Sequence, residues 1–320
     1  MPADHLNALA PDRIIALVEA VLAGAQMRTT AAAAGIDPAD LDTAVQAYRA
    51  SGAAALRTYH DDTWFQAGIQ PTDWDTAETV FRTRIAPQLD GLDGGTATWW
   101  FLRKHPCWRI RIRTTDHDQA RTLLDDLSTA GVIAGWTPGI YEPETAAFGG
   151  HLATTIVHEL FCADSRAVLA YTRYDPPPMG RRELSLLLLR QLQHRAGLDW
   201  YEAADVFDRV ARMRPAPPAL ETPRIDSLAA QMRPLLALAA DSRTALFTPN
   251  EPLAEANGWL TAFAEAGHQL GAAAGAGHLD RGLRGILAQI VIFHWNRLNL
   301  PAHTQGILAR AATTAILPRS

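Results

Sequence analysis

The segment Trp108-Arg109-Ile110-Arg111-Ile112-Arg113 alternates apolar and cationic residues without a break. A β-strand turns successive side chains to opposite faces. Trp108, Ile110 and Ile112 are therefore expected to pack one way, and Arg109, Arg111 and Arg113 to point the other. Three cations on one face repel each other unless something anionic lies opposite. That partner is either a set of acidic side chains, giving a solvated sheet face, or a substrate that bears carboxylates. Periodicity leaves both open. The fixed fork of guanidinium donors suits a carboxylate ligand.

The surrounding pattern predicts an α+β protein, an antiparallel sheet packed with helices. Trp64 to Ile69, Thr96 to Leu102 and Trp108 to Thr114 read as strands, the last two split by a His105-Pro106 turn. Asp73 to Gln88 and Asp116 to Ala130 read as helices, and the chain beyond residue 150 reads as mainly helical. Before this domain, placed at residues 58–320, residues 1–57 form a small helical N-terminal domain. Ile14, Ile15, Leu17, Val18, Val21 and Leu22 keep helical spacing up to Gly24. An alanine-rich run stops at Gly35, and Asp37-Pro38 opens a third helix. A helical cap and a docking domain are both consistent with this. The third helix carries Asp40, Asp42 and only Arg49, so it repels phosphate and is not expected to read DNA.

Composition removes several classes. Hydrophobic residues make up 48% of the 320 and charged residues 20%, which is a globular rather than a disordered balance. The net charge of −5 argues against a dedicated nucleic-acid binder. Cys107 and Cys162 are too few for a disulfide framework or a cysteine-rich zinc site. No secretory signal and no apolar run of about 18 residues occurs, so the expected location is cytoplasmic, with no membrane partner. Lys104 is the only lysine among the 29 basic residues, so no phosphate-binding loop of the Walker type exists, and no GxGxxG follows a strand. No cofactor is indicated.

Three further stretches carry polar chemistry. Glu142 and Glu144 are candidates to neutralise the arginine face. His158-Glu159 begins like a zinc-protease helix, but position 162 is cysteine, so the HExxH pattern fails and no metal site is expected. Ser165 reads as a helix cap rather than a nucleophile, since no GxSxG frames it. In Phe293-His294-Trp295-Asn296-Arg297, His294 and Arg297 share a helix face. His294 is either a satisfied core histidine or a general acid–base.

These stretches together resemble the C-terminal elimination domain of lanthipeptide dehydratases, which also occurs as a free-standing thiopeptide-type bacteriocin biosynthesis protein. Trp99 to Arg103 and Trp108 to Arg113 resemble its "WFFIRY…HLRLR" region. Tyr141-Glu142-Pro143-Glu144 with Phe148-Gly149-Gly150 resembles "YERE…RYGG". Phe161 to Leu169 resembles "LFxADSxAVL", and Phe293 to Leu298 resembles "HMxxNRL". The resemblance runs in order from about residue 60 to 320.

The resemblance implies a lyase of ribosomal-peptide biosynthesis. It would remove glutamate from glutamylated Ser or Thr of a precursor peptide, leaving dehydroalanine or dehydrobutyrine. It implies His294, Arg113, Arg111 and Glu144 as catalytic residues, with Arg103, Arg109, Asn296 and Arg297 binding substrate. At 320 residues the chain has no room for a glutamylating domain, so the implied partner is a separate glutamyl-tRNA-dependent dehydratase subunit. Pairing as a homodimer or as a complex with that subunit is also implied, and no direct contact with nucleic acid. Pro143 and Ala147 stand where the family has arginines. That departure keeps two alternatives open: a formal [4+2] cyclase that builds the pyridine core of a thiopeptide, and a non-catalytic precursor-binding subunit.

Overall fold

The computed structural model describes residues 10–61, 64–215 and 222–317. The chain divides into two compact units, Met1–Thr63 and Trp64–Ser320.

The first unit contains three helices, α1 (Pro11–Leu22), α2 (Met27–Ala34) and α3 (Pro38–Asp61). Pro11 starts α1 at a position where its missing N–H costs nothing. Gly35 closes α2 in the left-handed conformation (φ 71°), and the Asp37 carboxylate accepts from Ala39 N–H at 2.8 Å at the start of α3. Val18, Ala31, Ile36, Leu41 and Val45 form a core of this unit's own.

The second unit is α+β. Its sheet contains β1 (Trp64–Pro71), β2 (Thr98–Lys104), β3 (Cys107–Arg113) and β4 (Ile133–Gly139) in the order β2-β3-β1-β4, and all its pairs are antiparallel. The sequence pattern gives no sign of β4. Between β1 and β2 lie α4 (Ala77–Val80), a widened π turn (Phe81–Ile85) and α5 (Ala86–Asp90). That helix starts later than Asp73, because Asp73 accepts from Asp75 N–H and from the Thr76 hydroxyl and holds a turn there. Asp116 caps α6 (His117–Thr129) by accepting from Gln119 N–H at 3.0 Å.

The remaining helices are α7 (Thr145–Phe148), α8 (His151–Tyr171), α9 (Arg181–Arg195), α10 (Trp200–Met213), α11 (Thr222–Leu236), α12 (Ala240–Ala245), α13 (Asn257–Gly275), α14 (Leu283–Arg297) and α15 (Ala302–Ile316). Helices α9 and α14 are buried nearly all round, the pattern of helices inside a core rather than on its surface. No helix among the described residues is long and apolar enough to cross a membrane.

Candidate functional site

The register places the arginine row as the alternation predicts. Arg111 of β3 lies between Trp100 of β2 and Gln66 of β1, and Gln66 in turn pairs with Gly139 of β4. Arg109 lies between Leu102 and Gly68, and Arg113 between Thr98 and Trp64. Cross-strand partners share a face. Arg109, Arg111, Arg113, Trp64, Trp100 and Gln66 therefore occupy one side of the sheet, while Ile110, Ile112, Phe101 and Trp99 are buried on the other.

Arg111 is the fixed member of the row. Its side chain packs on Trp100 with Cζ 4.4 Å from the ring centre, and Nε donates to Gln66 Oε1 at 2.8 Å. The residue is only 7% exposed, and its Nη1 is buried with no hydrogen-bond partner. Burial pushes its pKa down to about 10, against the opposing pull of Tyr141 and Glu144 and with a further lowering by Arg109 and Arg297. Arg113 leans over Trp64 at 5.8 Å and, like Arg109, is exposed. Glu144 acts on Arg111 through its field. No salt bridge joins Glu142 or Glu144 to the row among the described residues, so neutralisation by acidic neighbours is incomplete.

Helix α8 covers one end of this face. His158, which the sequence reading set aside with the failed zinc motif, is 8% exposed. Its ring meets Trp64 edge-on at 4.9 Å and stacks on Trp100 at 5.9 Å, and its Nε2 lies 2.5 Å from the Tyr141 hydroxyl. Burial, then the fields of Arg113 and Arg111, press its pKa down to about 3, so its ring is neutral near pH 7. Tyr141 and His158 are 17 residues apart, and no local spacing joins them. The loop after Tyr141 closes at Gly149-Gly150, both at positive φ (79° and 102°), where Gly149 abuts Ile286 of α14 too closely for a Cβ. Arg281 donates to the Ala147 carbonyl at 2.8 Å and so brings a cation to this loop that the sequence reading did not anticipate.

His294 lies behind this face and is not on it. It is 0% exposed, with Nδ1 3.0 Å from both Asp164 oxygens and Nε2 2.9 Å from Ser185 Oγ. Trp259 Nε1 also donates to Asp164, at 2.8 Å, and Trp295 Nε1 donates to Ser185 Oγ at 2.9 Å. Ser185, His294 and Asp164 thus stand in the order of a hydrolase triad, but all three are sealed from solvent. Arg297 donates from Nη1 to Asp164 at 2.9 Å and packs over Phe161 at 4.0 Å and Trp100 at 5.7 Å. Its Nε and Nη2 have no hydrogen-bond partner. In the "HMxxNRL" pattern the histidine stands four positions before the asparagine. Here Ile292 holds that place, and His294 is only two before Asn296.

Three expected residues lie elsewhere. Arg103 pairs with Trp108 in the register and so falls on the opposite face, packed over the Trp108 ring at 4.5 Å and bonded to Glu78. It cannot join the row. Asn296 accepts from Gln305 Nε2 at 2.8 Å, toward α15. Ser165 is no helix cap: it lies inside α8, where its buried Oγ accepts the Phe101 N–H at 3.1 Å and covers the outer edge of β2. No cluster of His, Cys, Asp and Glu able to hold a metal occurs among the described residues.

A four-stranded antiparallel sheet packed with long helices, with one face carrying arginines on a bed of tryptophan, defines an α+β protein with a cationic, aromatic-backed sheet face. The chain belongs to the family of lantibiotic biosynthesis dehydratase C-terminal domains, whose model matches residues 64–316. Three solved structures are similar. One is the tRNA-dependent lantibiotic dehydratase MibB from Microbispora sp. 107891, at 19% identity and TM-score 0.53 over 78% of this chain. The match spans 28% of the MibB chain. TsrL matches at 15% identity and TM-score 0.51, over 79% of this chain and 98% of its own. The pyridine synthase TbtD, from thiomuracin biosynthesis, matches at 13% identity and TM-score 0.49, over 79% of this chain and 97% of its own. The likenesses to MibB and TsrL are of fold. No curated protein matches the chain significantly.

Proposed function

We propose that the protein is a lyase that removes glutamate from glutamylated Ser or Thr residues of a precursor peptide. The observation that carries this reading is Arg111: a guanidinium packed on Trp100, held through Nε by Gln66, with a buried Nη1 that has no hydrogen-bond partner. Buried donors of this kind call for an acceptor, and a carboxylate supplies one in the right shape. Arg113 and Arg109 extend the positive surface for the second carboxylate of a glutamyl group.

In the elimination a base takes the Cα proton, the released pair forms the Cα=Cβ bond, and the Cβ–O bond breaks. Glutamate departs with the Cβ–O pair on its carboxylate. Arg111 and Arg113 stabilise the charge as it develops, in a site where tryptophan keeps the local dielectric low. Glu144 tempers the field at Arg111. His294 works at a distance: it holds Asp164, which holds Arg297 against Phe161 beside Trp100. The glutamylated substrate comes from a separate glutamyl-tRNA-dependent dehydratase subunit, the expected partner.

The test is mass spectrometry of a glutamylated precursor peptide incubated with the purified protein. The expected product has lost glutamate and kept a dehydrated residue. Arg111→Met is expected to lower kcat/KM by about 10²–10³. An unchanged peptide, with the protein folded, overturns the reading. A peptide bearing two dehydroalanines, offered next, then tests the [4+2] cyclase.

A further inference from the structure

Tyr141 and His158 lie against the same two indoles as the arginine row. His158 contacts Trp64 and Trp100, the rings that carry Arg113 and Arg111. Tyr141 contacts Trp64 at 5.7 Å and Trp100 at 6.4 Å. The charged groups acting on His158 are Arg111 and Arg113 from β3, and with burial they keep the imidazole neutral. In the Nδ1–H tautomer, the neutral imidazole offers Nε2, 2.5 Å from the phenol, as the acceptor of its hydrogen bond. Tyr141 also couples electrostatically to Arg111. A half-buried hydroxyl therefore stands beside the cation that receives the leaving group, with a proton acceptor behind it.

We propose that Tyr141 is the catalytic residue that takes the substrate Cα proton, and that His158 is its positioning residue and receives the phenolic proton. This assignment rests on the elimination reading and deepens it. As the Tyr141 oxygen takes the Cα proton, its own proton passes to His158 Nε2. The Cα–H pair becomes the Cα=Cβ bond, and the glutamate carboxylate leaves with the Cβ–O pair into the arginine row. The bound carboxylates offset the two guanidinium charges that disfavour an imidazolium, so His158 is most basic when substrate is in place. Its proton passes to solvent after glutamate departs.

The experiment compares wild type, Tyr141→Phe and His158→Gln on the glutamylated peptide, with L-glutamate binding measured in parallel by calorimetry. Tyr141→Phe is expected to lower kcat by about 10²–10⁴, with KM and L-glutamate affinity within threefold of wild type. His158→Gln keeps an acceptor for the phenol but cannot be protonated. It is expected to retain partial activity and to lose the acidic limb of the kcat–pH profile. An active wild type with an equally active Tyr141→Phe overturns the assignment and leaves elimination standing. A variant that loses kcat and L-glutamate binding together also overturns it, because the pair is then merely structural. A folded wild type with no turnover overturns the elimination reading and this assignment with it.

Discussion

The Asp164 carboxylate faces His294 squarely, with both oxygens 3.0 Å from Nδ1. It also accepts from Arg297 Nη1 and from Trp259 Nε1, and all four side chains are buried. Burial alone would raise the Asp164 pKa, yet His294 and Arg297 hold it below the ordinary carboxylate range. The consequence is a stability prediction. Asp164→Asn removes the charge that offsets Arg297 in a sealed site and leaves that cation uncompensated. Such losses cost about 3–5 kcal/mol. Urea unfolding checks this; a cost under about 1 kcal/mol means that Arg297 is already compensated by another group.

The His158 ring makes acid destabilising. Its pKa falls from 6.5 to about 3 on folding, chiefly through burial and then through Arg113 and Arg111. Between those values the unfolded chain binds a proton that the folded chain refuses. The stabilising contribution is complete above pH 6.5 and is lost as pH falls toward 3. A tenfold difference in proton affinity is worth about 1.4 kcal/mol. The melting temperature of wild type should therefore drop more steeply through this window than that of His158→Gln. Parallel pH curves for the two proteins would count against a neutral buried ring.

Gln66 fixes Arg111, and Gly139 makes room for Gln66. Its Nε2 donates to the Ile140 carbonyl at 2.8 Å while its Oε1 accepts from Arg111 Nε. A Cβ at position 139 would lie 2.7 Å from Gln66 Nε2. Gly139→Ala is expected to displace the amide and loosen Arg111. A hydrogen bond to a charged group is worth about 1.5–3 kcal/mol, so KM for the glutamylated peptide should rise about tenfold or more. Gln66→Leu should do the same. Steady-state kinetics on both variants decides, and an unchanged KM in the two would show that Arg111 needs no support from β1.

The arginine row was legible because β3 alternates strictly, and a period of two survives any tertiary context. Arg103 was expected to bind substrate, but a two-residue turn at His105-Pro106 pairs Lys104 with Cys107, and that parity sends Arg103 to the Trp108 face. Strand β4 was hidden because Gly135, Pro138 and Gly139 dilute its pattern, and its ladder to β1 supplies what propensity lacks. The Tyr141–His158 pair arises only when α8 lies on the sheet. For His294 the family pattern itself held the warning, since the histidine is displaced by two positions and a shift of two turns a helical side chain away from its expected face.

The N-terminal helices carry the last prediction. Ile15 and Leu22 of α1 are 42% and 38% exposed, although Val18 between them is buried in that unit's core. They stand seven residues apart and so share one helix face. Such an exposed apolar pair on one helix face suits an amphipathic leader segment of the precursor peptide, laid helix against helix. Ile15→Ser combined with Leu22→Ser in the full chain should weaken leader-peptide binding about tenfold by fluorescence anisotropy, since each change removes apolar burial worth about 1 kcal/mol or more. Turnover of saturating glutamylated peptide should stay at the wild-type rate, because neither residue belongs to the arginine row or to the loop after Tyr141. Unchanged leader affinity in a folded double variant would remove the docking role and leave the unit a structural cap.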